Sequence, residues 1–274
     1  MATASKSTLS TTDGLQLHSK SWKVKKPKGV LLLVHGFGEH MDRYQHVAAF
    51  FNQKSFDFVA YDRRGHGISE GQRGHLPSLE QELVDLTLQL KKVQTQYPNL
   101  PIFLYGHSQG GNFALNYLLR KKPNVTGTII TSPWITLTTE PPKLLITIGK
   151  LLHKILPKVS NKAEVGELSR DPEVGKKYAA DPLVHGNITL RAGNETIEAG
   201  KWLANYNKSI DTPLLLMHGT GDSVTNSKSS QAFYHNTNKS IDFKTWDGFY
   251  HELHNEPEQK EVLEYMYQWI INNK

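Results

Sequence analysis

No cysteine occurs in the 274 residues. Disulfide staples and thiolate-ligated metal sites are therefore excluded. No stretch approaches the ~20 consecutive apolar residues that a membrane-spanning helix needs. Residues 1–12 are polar and lack the apolar centre of a secretory signal. The expectation is a soluble intracellular protein, and the Asn-x-Ser/Thr triplets at Asn124, Asn187, Asn194, Asn207 and Asn238 are read as accidental. Charge of one sign forms no long run. The formal net charge is +6, but Lys and Arg are scattered, with no long basic run and no nucleic-acid motif. Nucleic acid is thus not an expected partner, while a weak attraction to anionic surfaces stays open. Internal repeats and low-complexity segments are absent too.

What is present is organised around Leu104-Tyr105-Gly106-His107-Ser108-Gln109-Gly110-Gly111. An apolar run over 101–105 enters this stretch and a helical pattern over 112–120 leaves it. Gly-x-Ser-x-Gly on a strand-to-helix turn exposes the serine hydroxyl and holds its backbone under strain. The two glycines let strand and helix approach closely, and the helix N-terminus behind the serine favours the negative charge of a tetrahedral oxyanion. Ser108 is the candidate nucleophile.

The rest of the chain reads as an α/β sheet. Asp13-Gly14 between two alternating segments, 8–10 and 15–22, signals an N-terminal antiparallel hairpin. Val30-Leu31-Leu32-Leu33-Val34 is a continuous apolar run, as expected of a strand buried on both faces of a parallel sheet. It ends in His35-Gly36-Phe37-Gly38-Glu39-His40, where the Phe37 amide is a candidate oxyanion donor. Helices are expected over 43–54 and 79–96, strands over 56–61 and 125–132, and between them lies the glycine-punctuated loop Asp62-Arg63-Arg64-Gly65-His66-Gly67-Ile68-Ser69. The alternation then stops. Residues 133–208 hold no strong strand, an irregular polar stretch over 171–187, and helical patterns over 141–156 and 196–207. In the first of these, Leu144, Leu145, Ile148, Leu151, Leu152, Ile155 and Leu156 share one face, opposite Lys143, Lys150 and Lys154. That face either covers the core, lines an acyl-binding cleft, or rests on a lipid surface. Strands over 213–217 and 242–246 and a helix over 257–272 complete the pattern. The expected organisation is a core of 1–132 and 209–274 interrupted by a helical insertion over 133–208.

A serine hydroxyl needs a base within hydrogen-bond reach and a group that orients the base. Asp222 and His251 each lie just beyond the C-terminal end of a strand, on the sheet edge that carries Ser108. The chain order Ser, Asp, His is the order of an α/β-hydrolase sheet. His251 is the expected base, Asp222 its orienter, and the amides of Phe37 and Gln109 the oxyanion donors. His254 and Asp247 are rivals close by. The pair His251 and His254 is spaced i, i+3, whereas the helical zinc motif needs i, i+4, so zinc is rejected.

Five motifs in order, from His35-Gly36-Phe37-Gly38-Glu39-His40 with Arg43-Tyr44, through Asp62 to Ser69, the elbow, and His218-Gly219-Thr220-Gly221-Asp222, to His251-Glu252-Leu253-His254-Asn255-Glu256, resemble the monoacylglycerol lipase family of the α/β-hydrolases, also described as serine aminopeptidase S33-like or lysophospholipase-like. The resemblance implies hydrolysis of a carboxylic ester with a long acyl chain and a small alcohol, with no metal or cofactor. It also implies a cap carrying an apolar acyl tunnel and a polar pocket for glycerol, and docking of that cap on a membrane or lipid-droplet surface. Glu39, Arg43, Leu144, Leu145 and Ile148 are the expected substrate contacts. A lysophospholipase, a general carboxylesterase and an inactive binding module are the alternatives; a dehalogenase of this fold would need a carboxylate at position 108. Two departures stand out: Gln109 replaces the family's usual methionine, and Phe37 its usual small residue.

Overall fold

The computed structural model describes residues 3–163, 166–238 and 240–274. Its frame is an eight-stranded sheet. In chain order the strands are β1 (Thr3–Ser10), β2 (Gln16–Lys23), β3 (Val30–Val34), β4 (Asp57–Tyr61), β5 (Ile102–His107), β6 (Gly127–Thr131), β9 (Leu214–Gly219) and β10 (Asp242–Trp246). In space they run β1-β2-β4-β3-β5-β6-β9-β10. The β1–β2 and β2–β4 pairs are antiparallel and the other five parallel. This is the α/β-hydrolase fold, a mostly parallel sheet with an N-terminal antiparallel hairpin.

The continuous apolar runs follow from burial on both faces. Every residue of β3, β5 and β6 is buried. Along β3, Leu32 and Val34 join one core with Leu83, Leu86 and Leu90 of α2 (Leu79–Gln96), and with Ala114 and Leu115 of α3 (Ser108–Lys121). Leu31 and Leu33 point the other way. They pack with Val47 and Phe51 of α1 (Gln45–Gln53) and with Val262, Met266 and Ile270 of α8 (Gln259–Asn272). The period of two along each strand supplies both layers at once.

The hairpin forms where Asp13-Gly14 predicts it, with Gly14 at φ +90°, but β1 reaches back to Thr3, well before the expected 8–10. Residues 41–44 form a single tight 3-10 turn before α1 begins.

Between β6 and β9 lie α4 (Lys143–Leu152), β7 (Ser160–Lys162), α5 (Pro172–Ala180), β8 (Asn187–Thr189) and α6 (Leu190–Ala204). Three sequence expectations change here. The helix expected over 141–156 stops at Leu152, ahead of Leu156-Pro157, where the proline disfavours helix for the residue before it. The stretch expected to be irregular over 171–187 contains α5. Its start carries a plain signal: Asp171 caps the Glu173 amide and Pro172 occupies the first turn. None of its residues is buried, so no apolar stripe marks it. Helix α6 begins at Leu190, capped by the Thr189 hydroxyl, ahead of the expected 196. A helix α7 (Ser227–Asn236) between β9 and β10, largely polar, has no counterpart in the sequence reading.

Candidate active site

The strand ends bring the candidate residues together. Ser108 follows β5 directly and sits at φ +54°, in the left-handed region that non-glycine residues rarely occupy. Two close approaches explain the flanking glycines. A Cβ at Gly106 would lie 2.7 Å from Ala114 Cβ, and one at Gly110 would lie 2.2 Å from the Val34 carbonyl oxygen. The elbow is thus pressed between β3, β5 and its own helix.

Ser108 Oγ lies 2.9 Å from His251 Nε2, and His251 Nδ1 lies 2.8 Å from Asp222 Oδ2. All three residues are buried. Because Nδ1 faces a carboxylate it carries the hydrogen, which leaves Nε2 free to accept from the serine hydroxyl. The other carboxylate oxygen, Asp222 Oδ1, accepts the amides of Val224 and Thr225. Burial alone would raise the Asp222 pKa. The facing His251 and the hydrogen bonds from His218 and His251 outweigh it and hold the carboxyl well below its usual range. Burial alone would lower His251. The charge and hydrogen bond of Asp222, with further help from Glu252 and Glu39, raise it above the ordinary histidine value of 6.5.

The loop after β3 forms the facing wall. The Gly36 amide donates to Glu39 Oε1 at 2.6 Å, and Tyr44 donates its hydroxyl to the same oxygen at 2.8 Å. Phe37 lines the cavity beside Ser108, and its amide makes no hydrogen bond among the described residues. The Gln109 amide lies in the first turn of α3, where the helix itself offers no acceptor. Both remaining Gln109 groups are engaged: Arg63 donates to Oε1 at 2.7 Å and Nε2 donates to Thr196 Oγ1 at 2.9 Å.

The cavity above Ser108 has a volume of about 100 Å³. Trp134, Leu137, Leu168 and Val224 give it apolar walls, while Glu39, Glu252 and Tyr178 give it a polar end. The Tyr178 hydroxyl is buried and has no hydrogen-bond partner among the described residues. Of the expected substrate contacts, Glu39 lines this cavity. Arg43 stands behind it, bonded to Glu39 and Glu252 and stacked 4.7 Å from the Tyr178 ring centre. Leu144, Leu145 and Ile148 are not among its lining residues. They lie on the outer face of α4, exposed by 70%, 60% and 41%, because the apolar stripe of that helix faces outward. Lys143, expected opposite them, has a side chain outside the described residues.

Sequence reasoning missed Tyr178, Trp134, Leu137, Leu168 and Val224. Most of them lie in the segment without a strong periodic pattern, and no motif marks them. The zinc rejection leaves His254 to be placed. It is buried, stacked on Tyr44 at 4.5 Å and edge-on to His107 at 4.9 Å, away from Ser108 Oγ. Asp247 accepts from the Thr220 hydroxyl at 3.0 Å in an exposed hydrogen bond, away from the imidazole.

Comparison with known proteins agrees with this architecture. Residues 25–258 match the family model for serine aminopeptidase, S33. An uncharacterized abhydrolase domain-containing protein of Dictyostelium discoideum is 39% identical over 98% of this chain, which spans 29% of that protein's length. A monoacylglycerol lipase of Mycolicibacterium smegmatis is 32% identical, over 90% of this chain and 89% of its own. The crystal structure of the Paleococcus ferrophilus monoacylglycerol lipase superposes with a TM-score of 0.86 at 28% identity, covering 94% of this chain and 99% of its own. The chain belongs to the serine aminopeptidase S33 family of α/β-hydrolases.

Proposed function

We propose that this carboxylic ester hydrolase cleaves monoacylglycerols to a free fatty acid and glycerol, using Ser108 as nucleophile, His251 as base and Asp222 as its orienter. The observation that carries the reading is the unbroken chain of hydrogen bonds from Ser108 Oγ through the imidazole to Asp222, at 2.9 and 2.8 Å. Serine Oγ attacks the ester carbonyl carbon while His251 Nε2 takes its proton. The tetrahedral intermediate collapses, the bond to the glycerol oxygen breaks, and His251 returns the proton to the leaving oxygen. Water then attacks the acyl-enzyme. It gives its proton to His251, which restores it to Ser108 as the fatty acid departs. The Phe37 and Gln109 amides hold the oxyanion, each contributing about 3 kcal/mol.

The substrate class rests on the relatives' lipase activity and on the cavity's two ends. Apolar walls at Trp134, Leu137, Leu168 and Val224 suit the acyl chain. Glu39, Glu252 and the Tyr178 hydroxyl, which has no partner among the described residues, suit a small polyol. Because Trp134, Leu137, Leu168 and Tyr178 all come from 133–208, that segment acts as a cap over the core of 1–132 and 209–274. Its outer apolar face on α4 then docks on a lipid surface, aided by Lys154, while Lys150 turns back to Glu198 of α6 at 3.6 Å. The cavity of about 100 Å³ also favours a second reading, an esterase for short acyl chains. A fluorophosphonate probe should label the wild type and not Ser108→Ala. Hydrolysis rates for monoacylglycerols of rising chain length, lysophospholipid and p-nitrophenyl acetate separate the substrates, and a strong preference for acetate overturns the lipase reading.

A further inference from the structure

Asp222 holds a second histidine. His218, at the end of β9, is fully buried, with Nε2 3.0 Å from Asp222 Oδ2 and 3.2 Å from the Thr225 carbonyl oxygen. Both neighbours are acceptors, so Nε2 carries the hydrogen. His218 Nδ1 lies 2.7 Å from Ser230 Oγ, on α7, and accepts that hydroxyl's hydrogen. Ser230 is also fully buried. The site therefore forms a five-membered row, Ser108–His251–Asp222–His218–Ser230, in which hydrogens point at one carboxylate from both sides. Oδ2 is shared: it receives His251 Nδ1–H and His218 Nε2–H together, with Thr225 Oγ1 a further 2.9 Å away.

We propose that His218 is a positioning residue that sets the basicity of His251, by donating to the same Asp222 oxygen that holds the His251 imidazole. A donor on a carboxylate draws off part of its charge and leaves less to stabilise imidazolium. Without His218, Asp222 Oδ2 binds the His251 Nδ1 hydrogen more strongly, and His251 keeps its proton to higher pH. The other groups facing His251 stay in place when His218 changes. Glu252 adjoins it, Thr225 Oγ1 lies 3.3 Å from its Nδ1, and the His107 ring stands 4.9 Å away. Glu39, Arg43 and His254 complete the charged and titratable surroundings.

The inference rests on the proposed catalytic roles of Ser108, His251 and Asp222, and the test separates the two. The readout is the acidic limb of kcat/KM for a water-soluble p-nitrophenyl ester. His218→Phe fills the space without an N–H, and its limb should rise by about half to one pH unit. His218→Gln places an amide N–H where Nε2 stands and should return the limb to the wild-type position. A residue that merely fills the core lowers thermal stability in both variants and moves neither limb. An unmoved limb in His218→Phe, or an equal shift in His218→Gln, overturns the proposal. If His218→Phe does not fold, nitrogen NMR of histidine-labelled wild-type protein decides. The expected neutral form of His218 is the Nε2–H tautomer, and a neutral form with its hydrogen on Nδ1 overturns the proposal. An active Ser108→Ala removes the triad and this inference with it. An inactive Ser108→Ala with an unmoved His218→Phe limb removes this inference alone.

Discussion

Arg43 grips both carboxylate oxygens of Glu252, at 2.6 and 2.7 Å, and its Nη1 also reaches Glu39 at 2.7 Å. One cation therefore serves two buried carboxylates, one of which is the neighbour of His251 in the chain. The pair divides unequally. Burial pushes both carboxyls up, but the bidentate grip brings Glu252 below its ordinary range while Glu39 stays above its own. Arg43→Ala leaves both acids without their cation. Urea unfolding should show a loss of about 3–5 kcal/mol, and Arg43→Lys, which keeps charge but loses the fork, a smaller one. A loss in Arg43→Ala no larger than that of an exposed ion pair contradicts this.

The raised His251 pKa has a sign that can be followed. The proposed mechanism needs the neutral His251 imidazole, so it predicts that kcat/KM falls as pH drops through a value above the ordinary 6.5 of histidine. Folding feels the opposite preference. The raised value stabilises the folded chain fully below the unfolded pKa, and this contribution is lost as pH rises through the folded pKa. The enzyme gains activity over the window in which that contribution disappears. Glu252→Gln removes one of the negative charges that raise His251, and its acidic limb should move to lower pH, the direction opposite to His218→Phe. A limb that moves upward is inconsistent with the charge ordering.

Gln109 joins the elbow to the inserted segment. Its side chain accepts from Arg63, itself paired with Glu82 at 3.0 Å, and donates to Thr196 on α6. Gln109→Met leaves a buried guanidinium N–H without its acceptor and should cost about 1–3 kcal/mol. Combined with Thr196→Val, the loss should be less than the sum of the two single changes, because both break one bridge. Strict additivity in thermal or urea unfolding shows the bridge to be inert.

The outward face of α4 yields a fourth expectation. Leu144→Ser with Leu145→Ser should weaken binding to anionic liposomes severalfold and leave both stability and hydrolysis of a soluble ester unchanged, since these side chains bury little. Added salt should weaken wild-type binding through Lys154. Equal loss of soluble-ester activity places the two leucines in the fold instead.

The frame was legible because its signals are local. Val30–Val34 is apolar at every position, Asp13-Gly14 marks its turn, and Gly-x-Ser-x-Gly needs only its own strand and helix for context. The inserted segment was not legible in the same way. Helix α5 buries none of its residues, so only Asp171-Pro172 marked it, and Tyr178 on that helix carries no motif although its hydroxyl ends at the cavity. Within the site, the row from Ser108 to Asp222 followed from the order of the strands. The partners of Arg43 did not, because Glu252 lies 209 positions away and its contact depends on how a 3-10 turn after β3 meets the loop after β10. His218 stood in a motif that was read only for its aspartate. Its hydrogen-bond partner Ser230 lies on a helix with no apolar stripe strong enough to be noticed.

The left-handed backbone at Ser108 filters which side chains the elbow accepts. Aspartate and asparagine tolerate that region among non-glycine residues, whereas a β-branched side chain is a steric outlier there. Threonine, the nearest chemical copy of serine, is thus barred by geometry even though its hydroxyl is equivalent. Aspartate, a different kind of nucleophile altogether, fits the backbone unchanged. Substitution at this one position is consequently freer to change the reaction than to conserve it.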